Sequence, residues 1–156
     1  MSYFQEARNV ELSVIYYLET QIGANWSGIA VVKNFNNAYK EPLPVVAISL
    51  GPVDPTPKEV GSTDTIETYT MNINIFAKSG GQRIDLSNFI LTQLKTGCVY
   101  YEHSQTSGSP ETLTRTANGR IRVYRYIASY PLDFGEDGVD KYDEFRWIIS
   151  VQMRKS

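Results

Sequence analysis

The run Ile66-Glu67-Thr68-Tyr69-Thr70-Met71-Asn72-Ile73-Asn74-Ile75-Phe76-Ala77 constrains the fold of this chain more than any other stretch. Tyr69, Met71, Ile73 and Ile75 recur at a spacing of two, with Thr70, Asn72 and Asn74 between them and Thr68 ahead. That alternation predicts a strand with one buried face and one polar face. Lys78-Ser79-Gly80-Gly81 breaks the extended run. Behind it Leu86, Phe89, Ile90, Gln93 and Leu94 recur at helical steps, and Gly97 sits where a helix is usually stopped. A half-buried strand thus delivers the chain into a helix able to fold back over its apolar side.

The flanking segments extend this unit. Ala7, Val10, Val14, Ile15, Leu18 and Ile22 form one stripe and predict a helix between an N-cap at Ser2 and a stop at Gly23. Strands are predicted over 26–33, 45–50, 98–102 and 120–130. The last strand alternates Phe145, Trp147, Ile149, Val151 and Met153 with outward residues that include Arg146, Ser150, Gln152 and Arg154. Val45 to Leu50 is apolar at nearly every position, which predicts burial on both faces or a central sheet position. Irregular loops are predicted at 51–65, with Pro52, Pro55 and Pro57, and at 103–119, rich in Ser, Thr and Gly. In order this gives α-β-β-β-α-β-β-β. Two helices are too few to cover both faces of such a sheet. The expected fold is therefore α+β, a two-layer sandwich with a mixed, mostly antiparallel sheet of about six strands and both helices on one face. The 156 residues fit a single domain, 1–156, that needs no covalent staples.

Composition narrows the chemistry. The one cysteine, Cys98, excludes an internal disulfide and most cysteine metal sites. With 15 basic and 17 acidic residues, bulk charge does not advertise nucleic acid or an anionic membrane as partner. The start, Met1 to Glu6, lacks the basic and apolar runs of a signal peptide, and no apolar run reaches membrane-spanning length. A soluble chain made in the cytosol, with no membrane partner, is expected.

Possible sites of chemistry are weak. Ser79-Gly80-Gly81-Gln82-Arg83 lies where a phosphate loop would lie but lacks the Lys-Ser/Thr that opens one; an anion on the helix amides beside Arg83 is the residual reading. The element order also fits a metal-dependent nuclease core. Yet no acidic-x-Lys triplet occurs; Glu67 and Glu144-Phe145-Arg146 are the nearest analogues, and Arg cannot give up its proton as Lys can. Asp133 to Glu144 partly follows a calcium-loop spacing, with Gly138 at the sixth position, but Gly135 and Lys141 stand where ligands belong. Cys98 and His103 lack an orienting third group. Arg115, Arg120, Arg122 and Arg125 interleave with Tyr124 and Tyr126. That mixture suits a small nucleic-acid-binding module, or pairs with Glu144 and the acidic loop across a hairpin, which is the favoured reading. No catalytic, cofactor-binding or metal-ligating residue is assigned, and no enzyme is expected. Eleven tyrosines and two tryptophans favour an interface instead.

The amphipathic first helix, Trp26 before an apolar strand, Val45 to Leu50 behind prolines, Lys58-Glu59-Val60-Gly61, Tyr69 to Ala77, Arg83-Ile84-Asp85-Leu86 and the final strand from Phe145-Arg146 to Val151-Gln152-Met153 carry a resemblance over most of the chain. Together they resemble the tail-terminator and neck (head–tail joining) proteins of tailed bacteriophages. The resemblance implies a homo-oligomeric ring, commonly six-fold, that caps the tail tube and meets the head connector, with DNA passing through its lumen. It implies location in the virion after assembly in the host cytoplasm, no cofactor, and neighbouring neck and tail-tube proteins as partners. The irregular loops with Lys58, Glu59 and Arg115 become assembly contacts that order on docking. Arg120, Arg122, Tyr124 and Tyr126 become a lumen or inter-subunit face. A head-side stopper or adaptor, or a tail-tube subunit, is the alternative; for a tube the 103–119 stretch looks too rich in Ser and Gly to supply the long hairpin required.

Overall fold

The computed structural model describes residues 2–61, 63–106, 113–132 and 141–156. Within them the chain is α+β. Its order is β1 (Ser2–Tyr3), α1 (Glu6–Asn25), β2 (Ala30–Lys33), a 3-10 helix (Phe35–Lys40), β3 (Val45–Pro57), β4 (Thr65–Ala77), α2 (Gly80–Lys95), β5 (Cys98–Gln105), β6 (Leu113–Leu132) and β7 (Phe145–Lys155). The strands form one mixed sheet in the order β1-β5-β6-β7-β4-β3-β2. Only β2 and β3 run parallel. Six strands are substantial and β1 contributes a two-residue pairing.

β4 lies inside the sheet, with β3 on one side and β7 on the other. Its predicted inward residues Tyr69, Met71, Ile73 and Ile75 are buried, as are Ile149, Val151 and Met153 of β7. They meet Val10, Val14, Leu18 and Ile22 of α1 and Leu86, Ile90 and Leu94 of α2 in one core cluster. Burying such side chains contributes roughly 1.5–3 kcal/mol each, which outweighs any intrinsic helix preference. Ser79 Oγ accepts the Gln82 N–H at 3.1 Å and Gln82 Oε1 accepts the Lys78 N–H at 2.8 Å, so a capping box starts α2. Gly97 ends that turn at φ +72°, where an added Cβ would lie 2.6 Å from Ile121 O.

Several expectations need correction. α1 begins at Glu6, because Ser2 and Tyr3 pair with Gln105 and Ser104 of β5, and it runs past Gly23 to Asn25. The sheet has a second cover: Phe35, Ala38 and Tyr39 of the 3-10 helix pack over Val45, Ala47 and Phe76 on the face away from α1 and α2. That explains why β3 opens with four consecutive buried residues. The stretch 51–65 is largely a hairpin arm, with Val53 to Pro57 paired to Tyr69 to Thr65. Its prolines sit on the outer edge of the sheet, where a missing N–H breaks no ladder bond. Likewise 103–105 and 113–119 are not irregular; they continue β5 and β6, paired from Gln105↔Leu113 inward.

Candidate assembly surface

A strand left at a sheet edge exposes unpaired N–H and C=O groups, so each edge of this sheet requires a cover. The edge of β5 is sealed by α1. Asn9 Oδ1 accepts the His103 N–H at 3.1 Å, and Ser13 Oγ accepts the Tyr101 N–H at 2.9 Å. The Phe4 N–H donates to His103 O at 3.1 Å. At the register shift between Leu50 and Val53, where β3 bulges, Glu11 Oε2 accepts the Leu50 N–H at 2.8 Å while Lys33 Nζ lies 2.9 Å from Glu11 Oε1. Beyond that bulge the edge of β3 carries Pro52, Pro55 and Pro57.

β6 is different. β5 pairs with it only as far as Ile121, while β7 continues to Leu132. Residues 122–132 therefore keep one open edge among the described residues. Register shifts insert Tyr124 and Ile127 as bulge residues, and Tyr124, Tyr126, Ile127 and Tyr130 are each about half exposed. Between this edge and Asn88, Leu91, Thr92 and Lys95 of α2 runs a groove of about 390 Å³. A length of open strand, four large exposed side chains and an adjoining groove make this edge the candidate docking surface of the described residues.

The bulge at Tyr124 also corrects the face expected for the arginine strand. Arg122 pairs with Arg154 on the polar face, but Tyr126 pairs with Val151 and turns toward α2. The arginines do not meet Glu144. β7 runs antiparallel to β6, so Arg120 and Arg122 sit beside Ser156 and Arg154, while Glu144 lies at the other end. Arg120 Nη2 donates to Thr96 O at 3.0 Å and holds the end of α2. Arg154 Nε donates to Thr68 Oγ1 at 3.0 Å, and its guanidinium lies 3.5 Å from the Tyr124 ring centre. Arg115 is a strand residue, not a loop residue: its guanidinium stacks 3.9 Å over Tyr16 of α1 and Nε donates to His103 Nε2 at 3.4 Å. Lys58 and Glu59 are exposed at the tip of the arm, with the Lys58 N–H donating to Asp64 O.

The geometry also weighs the chemical readings. Glu67 and Glu144 lie at opposite ends of the β4–β7 ladder, about 36 Å apart at about 3.3 Å per residue, so they do not converge on one metal. Arg146 is buried over Phe35 and Phe76 and donates to Asn74 Oδ1 at 2.9 Å. The capping box occupies the first turn of α2, where an anion was the residual reading. Cys98 is buried and its thiol is pushed up to about 12 by desolvation, away from thiolate chemistry. His103 is five steps further along β5, about 16 Å along a strand. The calcium-like spacing falls mostly on 133–140, outside the described residues.

His103 is a structural group. Its Nδ1–H donates to Asn9 Oδ1 at 3.0 Å and its Nε2 accepts from Arg115, which fixes the neutral tautomer. Burial first, and the Arg115 charge next, depress its pKa. The unfolded chain therefore binds this proton at higher pH than the folded one, and stability falls as pH drops below the ordinary histidine value of about 6.5. Urea midpoints are expected to fall between about pH 7 and pH 5, and His103→Gln is expected to flatten that part of the profile.

Sequence reasoning missed Asn9, Glu11 and Ser13 as edge seals and Ile127 and Tyr130 as surface anchors. The available signal for the first group was Asn9 and Ser13 at a four-residue step beside Val10 and Val14. No protein-family model matches this sequence, and no curated protein matches it.

Proposed function

We propose that this chain is a structural subunit that works by assembling with copies of itself into a ring, as a tail-terminator or neck protein of a tailed bacteriophage. One observation carries the reading: among the described residues, 122–132 of β6 keep an open edge with Tyr124, Tyr126, Ile127 and Tyr130 exposed, although the sheet's other long edges are sealed by α1 or guarded by prolines. A subunit that is always assembled leaves open the edge that its neighbour covers. In this reading the polar face that carries Asn72, Ser150 and Gln152 beside Arg122 and Arg154 turns to the lumen through which DNA passes. The chain carries no catalytic site or cofactor, resides in the virion neck after assembly in the host cytoplasm, and contacts neck and tail-tube proteins through the 51–65 arm. Among the described residues no helix is long and apolar enough to cross a membrane.

The β5–β6 hairpin favours a second reading, a tail-tube subunit, because its pairing through Gln105↔Leu113 supplies the element whose sequence looked unsuitable. Mass measurement and negative-stain imaging of the concentrated full-length chain separate the two: discrete rings are expected for a terminator and open-ended stacks for a tube. Serine substitution of Tyr124, Tyr126 and Tyr130 together is expected to raise the assembly midpoint about tenfold or more while changing stability by about 0.5 kcal/mol per site. Turnover of a substrate that one polar substitution abolishes in a folded chain would sink the structural reading.

A further inference from the structure

We infer how neighbouring copies join: β2 of one copy lies antiparallel against the open edge of β6 in the next, continuing one sheet from subunit to subunit. The inference rests on the ring reading and adds its geometry. β6 and β2 stand on opposite sides of the sheet, separated by β7, β4 and β3. Strand direction alternates from β6 through β7 and β4 to β3, and β2 runs parallel to β3. A head-to-tail contact that preserves direction therefore sets β2 antiparallel to the next β6, the more stable ladder.

The two sides are also stepped in complementary fashion. On one side β2 projects past β3 only along Val45 to Ile48, leaving a notch along the arm. On the other, β5 projects past β6 only along Leu113 to Ile121, leaving a notch along 122–132. Following the ladders across the sheet, Val32 shares a row with Ala47, Asn74, Ile148 and Tyr130. In the same way Asp54, Thr68, Arg154 and Arg122 share a row. Sliding one copy's β2 into the next copy's notch thus sets Val32 beside Tyr130 and Asp54 toward Arg122. The charges are opposite in excess: β2 and the arm carry Asp54, Glu59, Asp64 and Glu67 against Lys58 and the Glu11-paired Lys33, and the receiving side carries Lys95, Arg122 and Arg125. Prolines keep β3 itself from pairing, which leaves β2 as the strand that enters.

Paired cysteines at Val32 and Tyr130 would sit at cross-strand distance, within disulfide reach. Buried Cys98 stays out of such a reaction. Mild oxidation of the full-length V32C/Y130C chain is expected to give a covalent ladder up to the full ring, while either single variant gives none. Rings that form by native mass measurement without cross-linking would overturn this pairing and leave the ring reading standing. A chain that stays monomeric to its solubility limit would overturn both. Because the cysteine pair touches the fold, charge reversal supplies the second arm. Arg122→Glu and Asp54→Lys are each expected to raise the assembly midpoint about tenfold, and together to restore it to within about twofold; no restoration counts against the contact.

Discussion

Phe76→Ala is expected to cost about 3–5 kcal/mol, enough to remove much of the stability of a domain this size. Phe76 is fully buried, yet it points away from α1 and α2. Its ring sits 5.6 Å from both Phe35 and Tyr39, and the Arg146 guanidinium lies 4.7 Å above it. Truncation removes the floor on which the 3-10 helix rests and one aromatic face of a buried cation. The loss is therefore greater than a hydrophobic transfer alone. Arg146→Met in the Phe76→Ala background is expected to cost about 1 kcal/mol less than Arg146→Met in the natural chain, because the cation–π contact is already gone. Denaturant unfolding of the four chains measures that coupling; strict additivity would show that the Phe76 ring contributes nothing to holding Arg146.

Asn9→Ala is expected to cost about 2–4 kcal/mol although the residue is small and polar. Its Oδ1 accepts from both the backbone and the ring of His103, and its Nδ2 donates to Phe4 O at 3.2 Å and Tyr100 Oη at 3.3 Å. Removing it strands two donors of a histidine that is 1% exposed. Asn9→Asp keeps the acceptor and adds a charge that favours the imidazolium. Its stability is expected to decline less between about pH 7 and pH 5 than that of the natural chain. Thermal or urea unfolding of the two variants across that range tests both halves. Equal pH profiles would separate His103 from Asn9 energetically.

The same residues show which parts of the molecule were legible in the sequence. The β4–α2 unit was, because a period of two followed by helical steps is a local property. Tyr69, Met71, Ile73 and Ile75, then Leu86, Ile90 and Leu94, are buried where their spacing placed them. The capping box at Ser79 and the stop at Gly97 are equally local. The aromatic content of β6 was visible too, but its orientation was not: the bulges at Tyr124 and Ile127 are set by pairing with β7, and one inserted residue moves the next side chain to the opposite face.

The paired segments 53–57, 103–105 and 113–119 read as parts of loops because prolines, glycines and serines depress strand propensity. They extend because β4 and β6 offer ladders for them to join, and Pro55 and Pro57 are tolerated on an outer edge. Asn9, Glu11 and Ser13 read as ordinary helix polar residues, and only the approach of α1 to β5 and β3 makes them acceptors for strand N–H groups. By itself, then, the sequence determined which residues repel water and with what period, since these depend on neighbours within a turn or a pleat. The tertiary structure decided which strand edges are closed and which stay open among the described residues, because an edge is defined by strands distant in the chain that pair beside it or fail to.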